Sequence, residues 1–251
     1  MSAGTLIIAG LGPGNPDMVT PEVQAALDGA TDIVGYIPYV ERVAARAGLT
    51  LHPTDNRVEL ERAQHAIEMA LSGKHVVVVS SGDPGVFAMA AAVFEAVDEG
   101  PADWRDLDIR VLPGITAMLA ASAAAGAPLG HDFCAINLSD NLKPWELIER
   151  RLRLAAEGDF AMAFYNPRSK SRPEGFEKTV AILQEACGDA RPVIFARAVS
   201  TPDQTIRVVP LDQVTPDMAD MRTMVIVGSS RTRIIARDGD PYIYTPRSVP
   251  K

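Results

Sequence analysis

A run of four valines followed by a polar, glycine-rich turn constrains the fold of this chain most strongly. Val76–Val79 is an uninterrupted apolar run, which is typical of a strand buried on both faces of a parallel sheet. The run ends in Ser80–Gly85, where two glycines allow a sharp turn and the close approach of a ligand. The alanine-rich segment Val86–Val97 predicts a helix that opens near Pro84. Because ligands bind beyond the carboxyl ends of parallel strands, this turn is the first candidate for a binding site.

The rest of the first half alternates short apolar strands with helical segments. Strands are predicted at Thr5–Ala9, Thr31–Gly35 and Ile109–Leu112. Helices are predicted after the capping pair Thr20-Pro21 and over Leu60–Leu71. The alternation predicts a parallel sheet covered by helices, with the glycine-containing loops 10–15, 82–85 and 113–117 clustered where its strands end. The charged residues at the start of the second helix are interpreted as a solvated face: Arg57, Glu59, Glu61 and Arg62.

In the second half the strands lie closer together in sequence, which favours a mixed sheet. Val193–Arg197 and Thr205–Val209 could form a hairpin, and Thr223–Gly228 is the last core strand. The small helical segment Thr116–Ala125 is a plausible connection between two halves. We therefore predict an α/β protein with domains at residues 1–115 and 116–251.

Composition and loop chemistry exclude several classes of protein. The 251 residues carry a net charge of −8, which argues against a nucleic-acid surface. The two cysteines, Cys134 and Cys187, lack metal-ligand spacing, and no apolar run reaches the length of a membrane helix. Asn15 stands where a dinucleotide fingerprint needs glycine or alanine, and Gly73-Lys74 lacks the context of a phosphate loop. A cytoplasmic enzyme or binding protein with no metal, nucleic-acid or membrane partner is expected.

Several polar groups near strand ends are candidates for chemistry. His131 adjoins Asp132 before one strand, and Ser139 adjoins Asp140 after it. These residue types could support a Ser-His-Asp hydrolase, but a Gly-x-Ser-x-Gly elbow is missing. Tyr36 and Tyr39 either line a pocket or pack together. Basic residues also follow two strands in this acidic chain: Arg168, Lys170, Arg172, Arg231 and Arg233.

Taken in order, the short motifs resemble the tetrapyrrole methylase family over nearly the whole chain. The motifs are Gly10-Leu11-Gly12-Pro13-Gly14, Ser81-Gly82-Asp83-Pro84-Gly85, Pro113-Gly114-Ile115-Thr116 and Val225-Ile226-Val227-Gly228. Three further features resemble the members that methylate carbon 17 of precorrin-3B in cobalamin biosynthesis. They are Gly35-Tyr36-Ile37-Pro38-Tyr39, the segment from Gly130-His131-Asp132-Phe133 to Pro144-Trp145-Glu146, and Tyr165-Asn166-Pro167-Arg168-Ser169-Lys170.

The resemblance implies two α/β domains of the class III methyltransferase type, with a parallel N-terminal sheet, a mixed C-terminal sheet and the active-site cleft between them. It implies methyl transfer from S-adenosylmethionine to C17 of precorrin-3B, coupled to a ring contraction that gives precorrin-4, with S-adenosylhomocysteine as the other product. A homodimer is also implied. The nearest alternative is the same family acting on another corrin precursor, on the cobalt-containing analogue cobalt-factor III, on an rRNA ribose or on a modified histidine. A nicotinamide oxidoreductase and a cofactor-sensing module are further alternatives.

The resemblance also implies roles for residues in this sequence. Cofactor contacts are expected from Gly82, Asp83, Gly85, Val86, Thr116, Ala117, Tyr165, Asn166, Arg197, Thr223 and Met224. Substrate contacts are expected from Pro13, Tyr39, Arg168, Lys170, Arg172 and Arg231, because arginine pairs strongly with carboxylates. Ring contraction needs a general acid or base, for which the candidates are His131, Asp132, Ser139, Asp140, Asp83 and Tyr36. His131 is preferred, because the unperturbed pKa of histidine suits proton transfer near neutral pH.

Overall fold

The computed structural model describes residues 4–55 and 58–248. The chain falls into two units, Met1–Thr116 and Ala117–Lys251, and each is built around a sheet of its own. The first sheet is wholly parallel and the second is mixed, which confirms the predicted fold class.

The first unit is a parallel sheet with strand order β3-β2-β4-β1-β5. Its strands are β1 (Thr5–Gly10), β2 (Asp32–Tyr36), β3 (Thr50–Thr54), β4 (His75–Ser80) and β5 (Ile109–Leu112). Its helices are α1 (Pro21–Gly29), α2 (Ile37–Val40), α3 (Glu59–Leu71) and α4 (Met89–Glu99). The sequence analysis did not predict β3, because this strand contains Pro53. Sheets tolerate proline mainly on edge strands, and β3 is an edge strand.

The valine run forms the buried centre of this sheet, as predicted. Val76 and Val78 pack in the core that α3 and α4 cover, whereas Val77 and Val79 face the core that includes Val23 of α1. All four side chains are at most 1% exposed. Thr20 caps α1 as predicted, since its Oγ1 accepts a hydrogen bond of 3.2 Å from the backbone N–H of Val23.

Two expectations for the helices of this unit are wrong. Helix α4 begins at Met89 rather than near Pro84, because Phe87 has a φ of +53° and Ala88 is extended, and neither conformation can continue a helix. Arg62 is 3% exposed rather than solvated. Its Nε donates to Thr54 Oγ1 at 2.6 Å and its Nη1 to Met89 Sδ at 3.2 Å, so it joins α3 to β3 and to the start of α4. Arg57 lies outside the described residues.

The second unit is a mixed sheet with strand order β10-β9-β11-β8-β7. Its strands are β7 (Phe133–Asn137), β8 (Ala161–Tyr165), β9 (Pro192–Arg197), β10 (Thr205–Pro210) and β11 (Thr223–Val227). Only β7 and β8 run parallel, and β9 with β10 forms the predicted antiparallel hairpin. Helices α5 (Ala117–Ala125), α6 (Trp145–Glu157) and α7 (Glu174–Cys187) accompany the sheet, and the short strands β6 (Gly126–Ala127), β12 (Arg233–Ile235) and β13 (Tyr242–Tyr244) form a separate small sheet.

A buried carboxylate stabilises the amino end of the first sheet. Asp32 is 2% exposed, and its Oδ1 accepts hydrogen bonds from Lys74 Nζ at 2.9 Å and His52 Nε2 at 2.8 Å. Thr31 Oγ1 donates to its Oδ2 at 2.8 Å. Burial alone would raise the pKa of Asp32, but the hydrogen bonds from Lys74, His52 and Thr31 outweigh burial and lower the pKa below its ordinary value.

We expect Asp32→Asn to lower the free energy of unfolding at pH 7 by about 1–3 kcal/mol, because a charged hydrogen-bond acceptor is lost while its donors stay in place. A carboxylate with a lowered pKa stabilises the fold at pH values above about 4, its unfolded pKa, and loses that contribution as the pH falls through its folded pKa. The difference between wild type and variant should therefore shrink in acid. Urea denaturation at pH 7, 5 and 3 measures it, with Asp98→Asn, at a side chain 88% exposed, as the matched control. A difference that does not depend on pH would contradict the assigned role of the charge.

Candidate functional site

Three glycine-containing loops meet where β1, β4 and β5 end, at what we call the carboxyl end of the first sheet. These strands are neighbours in the sheet, so the predicted clustering of the loops is confirmed. Gly12 N–H donates to Gly82 C=O at 3.2 Å, and Gly82 N–H donates to Gly12 C=O at 2.9 Å. Both glycines have positive φ, +65° and +67°, which glycine adopts without strain.

Backbone packs directly against backbone at this carboxyl end. A Cβ atom placed on Gly114 would lie 2.2 Å from the carbonyl oxygen of Gly82, and one on Gly10 would lie 2.6 Å from the same oxygen. Side chains are therefore excluded at these positions. The three loops are thus held together by direct backbone packing.

Asp83 joins two of these loops. Its Oδ1 accepts from Gly85 N–H at 2.8 Å, and its Oδ2 accepts from Gly114 N–H at 3.1 Å. Val86 N–H donates to the carbonyl of Asp83 at 3.3 Å, so the amides of Gly85 and Val86 are engaged within the turn. The carboxylate of Asp83 thus fixes the β4 loop against the β5 loop, and the backbone N–H groups of Gly85 and Val86 are already used.

Arg42 is a contributor to this site that sequence reasoning missed. Its Nη1 donates to the carbonyl of Gly12 at 3.1 Å, and its Nη2 donates to the carbonyl of Leu11. Burial lowers the pKa of Arg42 below its ordinary value. The sequence offers no signal for it, since one basic residue after a short helix resembles any surface arginine. Through these two carbonyls, Arg42 fixes the loop that contains Pro13.

Tyr36 and Tyr39 pack against each other beside this end of the sheet. Tyr36 is the last residue of β2, and its ring centroid lies 5.3 Å from that of Tyr39 in an edge-to-face arrangement. Burial raises the pKa of Tyr39 above its ordinary value, with a smaller contribution from Tyr36. The two rings therefore form a packed pair in the first unit.

The second sheet has a corresponding cluster where β7, β8 and β9 finish and β11 begins, here called the β8 end. Asn137 Oδ1 accepts from Asn166 Nδ2 at 3.1 Å and from Ser139 N–H at 2.9 Å. Asn166 has a φ of +50°, a conformation that asparagine tolerates better than most residues. Tyr165 lies one residue earlier, and its hydroxyl accepts from Met118 N–H at 3.3 Å at the start of α5, beside Ala117.

Arg197 and Thr223 face each other across the sheet at the β8 end and share one carboxylate. Arg197 Nε donates to Asp220 Oδ2 at 2.8 Å, and Thr223 Oγ1 donates to Asp220 Oδ1 at 2.6 Å. Burial would raise the pKa of Asp220, but these hydrogen bonds lower it. Thr223 and Met224 are each 5% exposed, so their side chains serve the fold. Asp220, which the sequence analysis did not single out, organises this group.

The predicted basic residues of the second unit differ in their surroundings. Ser169 and Arg172 close a tight turn that leaves Lys170 exposed, and Arg172 Nε lies 4.0 Å from Asp140 Oδ1. Among the described residues, the buried Nε atoms of Arg168 and Arg231 have no hydrogen-bond partner. Lys143, another residue that sequence reasoning missed, donates to the carbonyl of Ser139 at 2.9 Å. Burial and then the nearby Arg151 lower the pKa of Lys143.

The predicted catalytic residues do not form one group. Ser139 and Asp140 follow β7 at the β8 end, but His131 and Asp132 precede β7 at its opposite end. The five residues of β7 alone span about 16 Å. His131 Nδ1 accepts from Asp132 N–H at 2.6 Å. One set of reacting atoms therefore cannot touch both pairs, and the preference for His131 as the general base stays a prediction.

Residues 4–55 and 58–248 contain neither a metal-binding cluster nor a membrane-spanning helix. No group of three or more His, Cys, Asp or Glu side chains that could hold a metal ion is found there. Within the same residues, every helix is too short or too polar to cross a bilayer.

Comparison with known proteins identifies the class to which this fold and these loops belong. The family model of the tetrapyrrole (corrin/porphyrin) methylases matches residues 5–215, so the chain belongs to that family. It is 53% identical over 245 residues to the precorrin-3B C(17)-methyltransferase of a Sinorhizobium species, covering 97% of this chain and 96% of that protein. It is 38% identical to a probable cobalt-factor III C(17)-methyltransferase of Salmonella typhimurium, covering 96% and 98%.

Solved structures show the same relationship. The crystal structure of the methyltransferase CobJ superimposes with a TM-score of 0.93 at 67% sequence identity, covering 97% of this chain and 100% of that one. The uroporphyrin-III C-methyltransferase of Thermus thermophilus, solved with S-adenosylhomocysteine, superimposes with a TM-score of 0.70, covering 90% and 97%. At 22% identity the second likeness shows the fold alone.

Proposed function

We propose that this chain methylates carbon 17 of precorrin-3B, with S-adenosylmethionine as the methyl donor, and promotes the coupled ring contraction that gives precorrin-4. The observation that carries the proposal is the 53% identity to a precorrin-3B C(17)-methyltransferase over 97% of the chain and 96% of the relative. A homodimer in the cytoplasm is proposed with it, on the family resemblance alone.

The carboxyl end of the first sheet suits S-adenosylmethionine. At Gly10 and Gly114 even a methyl side chain would collide with the backbone of a neighbouring loop, so the three loops form one closely packed support for a ligand. When bound, the donor supplies an electrophilic methyl group on a cationic sulfonium. What the chain contributes is alignment, which can remove about 7–11 kcal/mol of a bimolecular barrier. The residues proposed to hold the donor are Gly82, Asp83, Gly85, Val86, Thr116, Ala117, Tyr165, Asn166, Arg197, Thr223 and Met224.

The structure refines these proposed roles. Asp83 holds its loop through Gly85 and Gly114, and Thr223 serves Asp220, so we propose that both act by positioning. Asn166 has a positive φ after β8, where its backbone groups can be presented to the donor. The N–H and C=O of Gly82 are bonded to Gly12, so we propose that Gly82 acts by letting the two loops pack closely.

A corrin precursor carries several carboxylates, and this acidic chain must bind them with local cations. Arg168, which follows β8, has the strongest support, because its buried Nε lacks an acceptor and such donors are costly to bury. The Nε atoms of Arg231 and Arg191 share this property, but Arg231 follows β11 and lies at the end of the sheet where β8 begins, beside Ser230, which bonds to Asp159. The residues proposed to contact the substrate are Pro13, Tyr39, Arg168, Lys170, Arg172 and Arg231. For the proton transfers of ring contraction, we propose Ser139 and Asp140 at the β8 end and Tyr36 in the first unit ahead of His131 and Asp132.

A second candidate substrate is cobalt-factor III, because a probable cobalt-factor III C(17)-methyltransferase covers nearly the same length of chain. The lower identity, 38% against 53%, makes it the less favoured of the two.

The test is incubation of the pure chain with methyl-labelled S-adenosylmethionine and either precorrin-3B or cobalt-factor III, read by mass and absorbance. We expect precorrin-3B to gain one methyl group and to change to the spectrum of a ring-contracted product. Turnover of cobalt-factor III alone would replace the substrate, and turnover of neither would overturn the proposal. In the same assay His131→Ala should contract the ring at the wild-type rate, and a rate lowered tenfold or more would restore the role first predicted for His131.

A further inference from the structure

Phe87 occupies an unusual position in the loop between β4 and α4. Its φ is +53°, a conformation that is strained for a bulky residue, and its side chain is 48% exposed. Both features lower the stability of the fold. The backbone conformation is strained, and the exposed ring leaves apolar surface in contact with water.

The loop around Phe87 is held firmly, so its exposure is not that of a frayed segment. The carboxylate of Asp83 accepts hydrogen bonds from the N–H of Gly85 in the same loop and from the N–H of Gly114 in the loop after β5. Ala90 N–H donates to the carbonyl of Pro84 at 2.9 Å, which closes the loop from the helix side. Phe87 therefore stands on a rigid support, which is how a recognition residue is presented to a ligand.

Two other large apolar side chains are exposed at this end of the first sheet. Ile37 follows β2 and is 42% exposed, and Ile115 follows β5 and is 37% exposed. Between β2 and β5 lie three strand spacings, or about 14 Å. Phe87, after β4, comes between these two loops in the order of the strands. The strands whose loops carry these side chains thus span a width suited to a flat macrocycle rather than to a single aliphatic chain.

We infer that Phe87 is a specificity-determining residue that packs against the apolar face of the tetrapyrrole macrocycle, with Ile37 and Ile115 beside it. The inference rests on the proposed function for the identity of the ligand. The three glycine-containing loops at the carboxyl end of the first sheet are polar, and the exposed ring of Phe87 provides the apolar contact that a conjugated macrocycle needs. Binding buries the ring, which offsets the cost of exposing it in the free protein.

The test compares Phe87→Ala with Phe94→Ala. Phe94 lies on α4 and is 49% exposed, so it matches Phe87 in residue type and exposure but not in position. We expect Phe87→Ala to raise the Kd for precorrin-3B about tenfold and its KM likewise, with kcat and the Kd for S-adenosylhomocysteine within twofold of wild type. Phe94→Ala should leave all four unchanged, and Phe87→Tyr should retain wild-type affinity for the tetrapyrrole.

The outcomes separate this inference from the proposed function. If wild type methylates precorrin-3B and Phe87→Ala binds it as tightly, the inference is overturned and the proposed function stands. If Phe87→Ala weakens the binding of S-adenosylhomocysteine as much as that of precorrin-3B, Phe87 supports the loop and the inference is again overturned. The same conclusion follows if Phe87→Ala fails to fold and Phe87→Tyr loses affinity for the tetrapyrrole. If wild type neither binds nor methylates precorrin-3B, the proposed function fails first.

Discussion

Replacing Gly114 by alanine is expected to destabilise the first unit by about 3 kcal/mol, at the upper end of what overpacking costs. The added Cβ would lie 2.2 Å from the carbonyl oxygen of Gly82 and 2.7 Å from that of Gly10. Both obstacles are backbone atoms of neighbouring loops and cannot rotate away. The loops must separate, and the Asp83–Gly114 hydrogen bond stretches with them. Thermal and urea denaturation measure the loss, and S-adenosylhomocysteine affinity should fall in parallel.

Gly29→Ala is the matched control for this substitution. A Cβ on Gly29, the last residue of α1, meets no atom within 4 Å. Alanine favours a helix over glycine by up to about 1 kcal/mol, so this variant should be as stable as wild type or slightly more stable. Equal stability of Gly114→Ala and Gly29→Ala would show that the three loops have room that the structure does not show.

Asp83→Ala is expected to weaken S-adenosylhomocysteine binding at least tenfold and to lower kcat/KM about a hundredfold, because a misplacement near 1 Å can cost that much. The substitution removes both acceptors that join the β4 loop to Gly85 and Gly114. Asp83→Asn should fall between wild type and alanine, since an amide oxygen accepts from one of the two N–H groups while its NH₂ cannot accept from the other. Calorimetric titration with S-adenosylhomocysteine and steady-state methyl transfer measure the two effects.

Asp98→Ala serves as the control, because that carboxylate is 88% exposed at the far end of α4. It should bind and turn over like wild type. An Asp83→Ala variant with wild-type affinity would mean that the loops hold their geometry without the carboxylate, and that the packing of Gly10, Gly82 and Gly114 suffices.

The sequence predicts the framework because its signals are local or periodic. The valines of β4 and the Thr20-Pro21 cap identify a buried strand and a helix start from a few adjacent residues. The carboxyl ends of parallel strands lie along the same edge of a sheet, so the clustering of the glycine loops could be predicted from the sequence alone. The hairpin of β9 and β10 followed from their closeness in sequence.

What the sequence could not predict depends on partners distant in the chain. Arginine is usually exposed, so the sequence gives no reason to place Arg62 and Arg42 inside the protein. Only the folded chain shows Arg62 donating to Thr54 and Arg42 donating to the carbonyl of Gly12. Asp220 has no motif of its own, yet it joins Arg197 to Thr223. His131 and Ser139 were both candidates for the acid or base, and only the structure shows that the five residues of β7 hold them apart.

The pairing of β1 has a consequence for how the chain folds during synthesis. Thr5 pairs with His75 on one side, and Leu6 pairs with Ile109 on the other, so β1 is synthesised before either neighbour and cannot pair until those residues follow. Such distant pairings make parallel sheets slow to form. In the second sheet, only residues 198–204 separate β9 from β10, so these two strands can pair as soon as both exist. A nascent chain thus carries an apolar strand with two open edges until about seventy residues have followed it and with one until about a hundred have, which is when aggregation threatens it most.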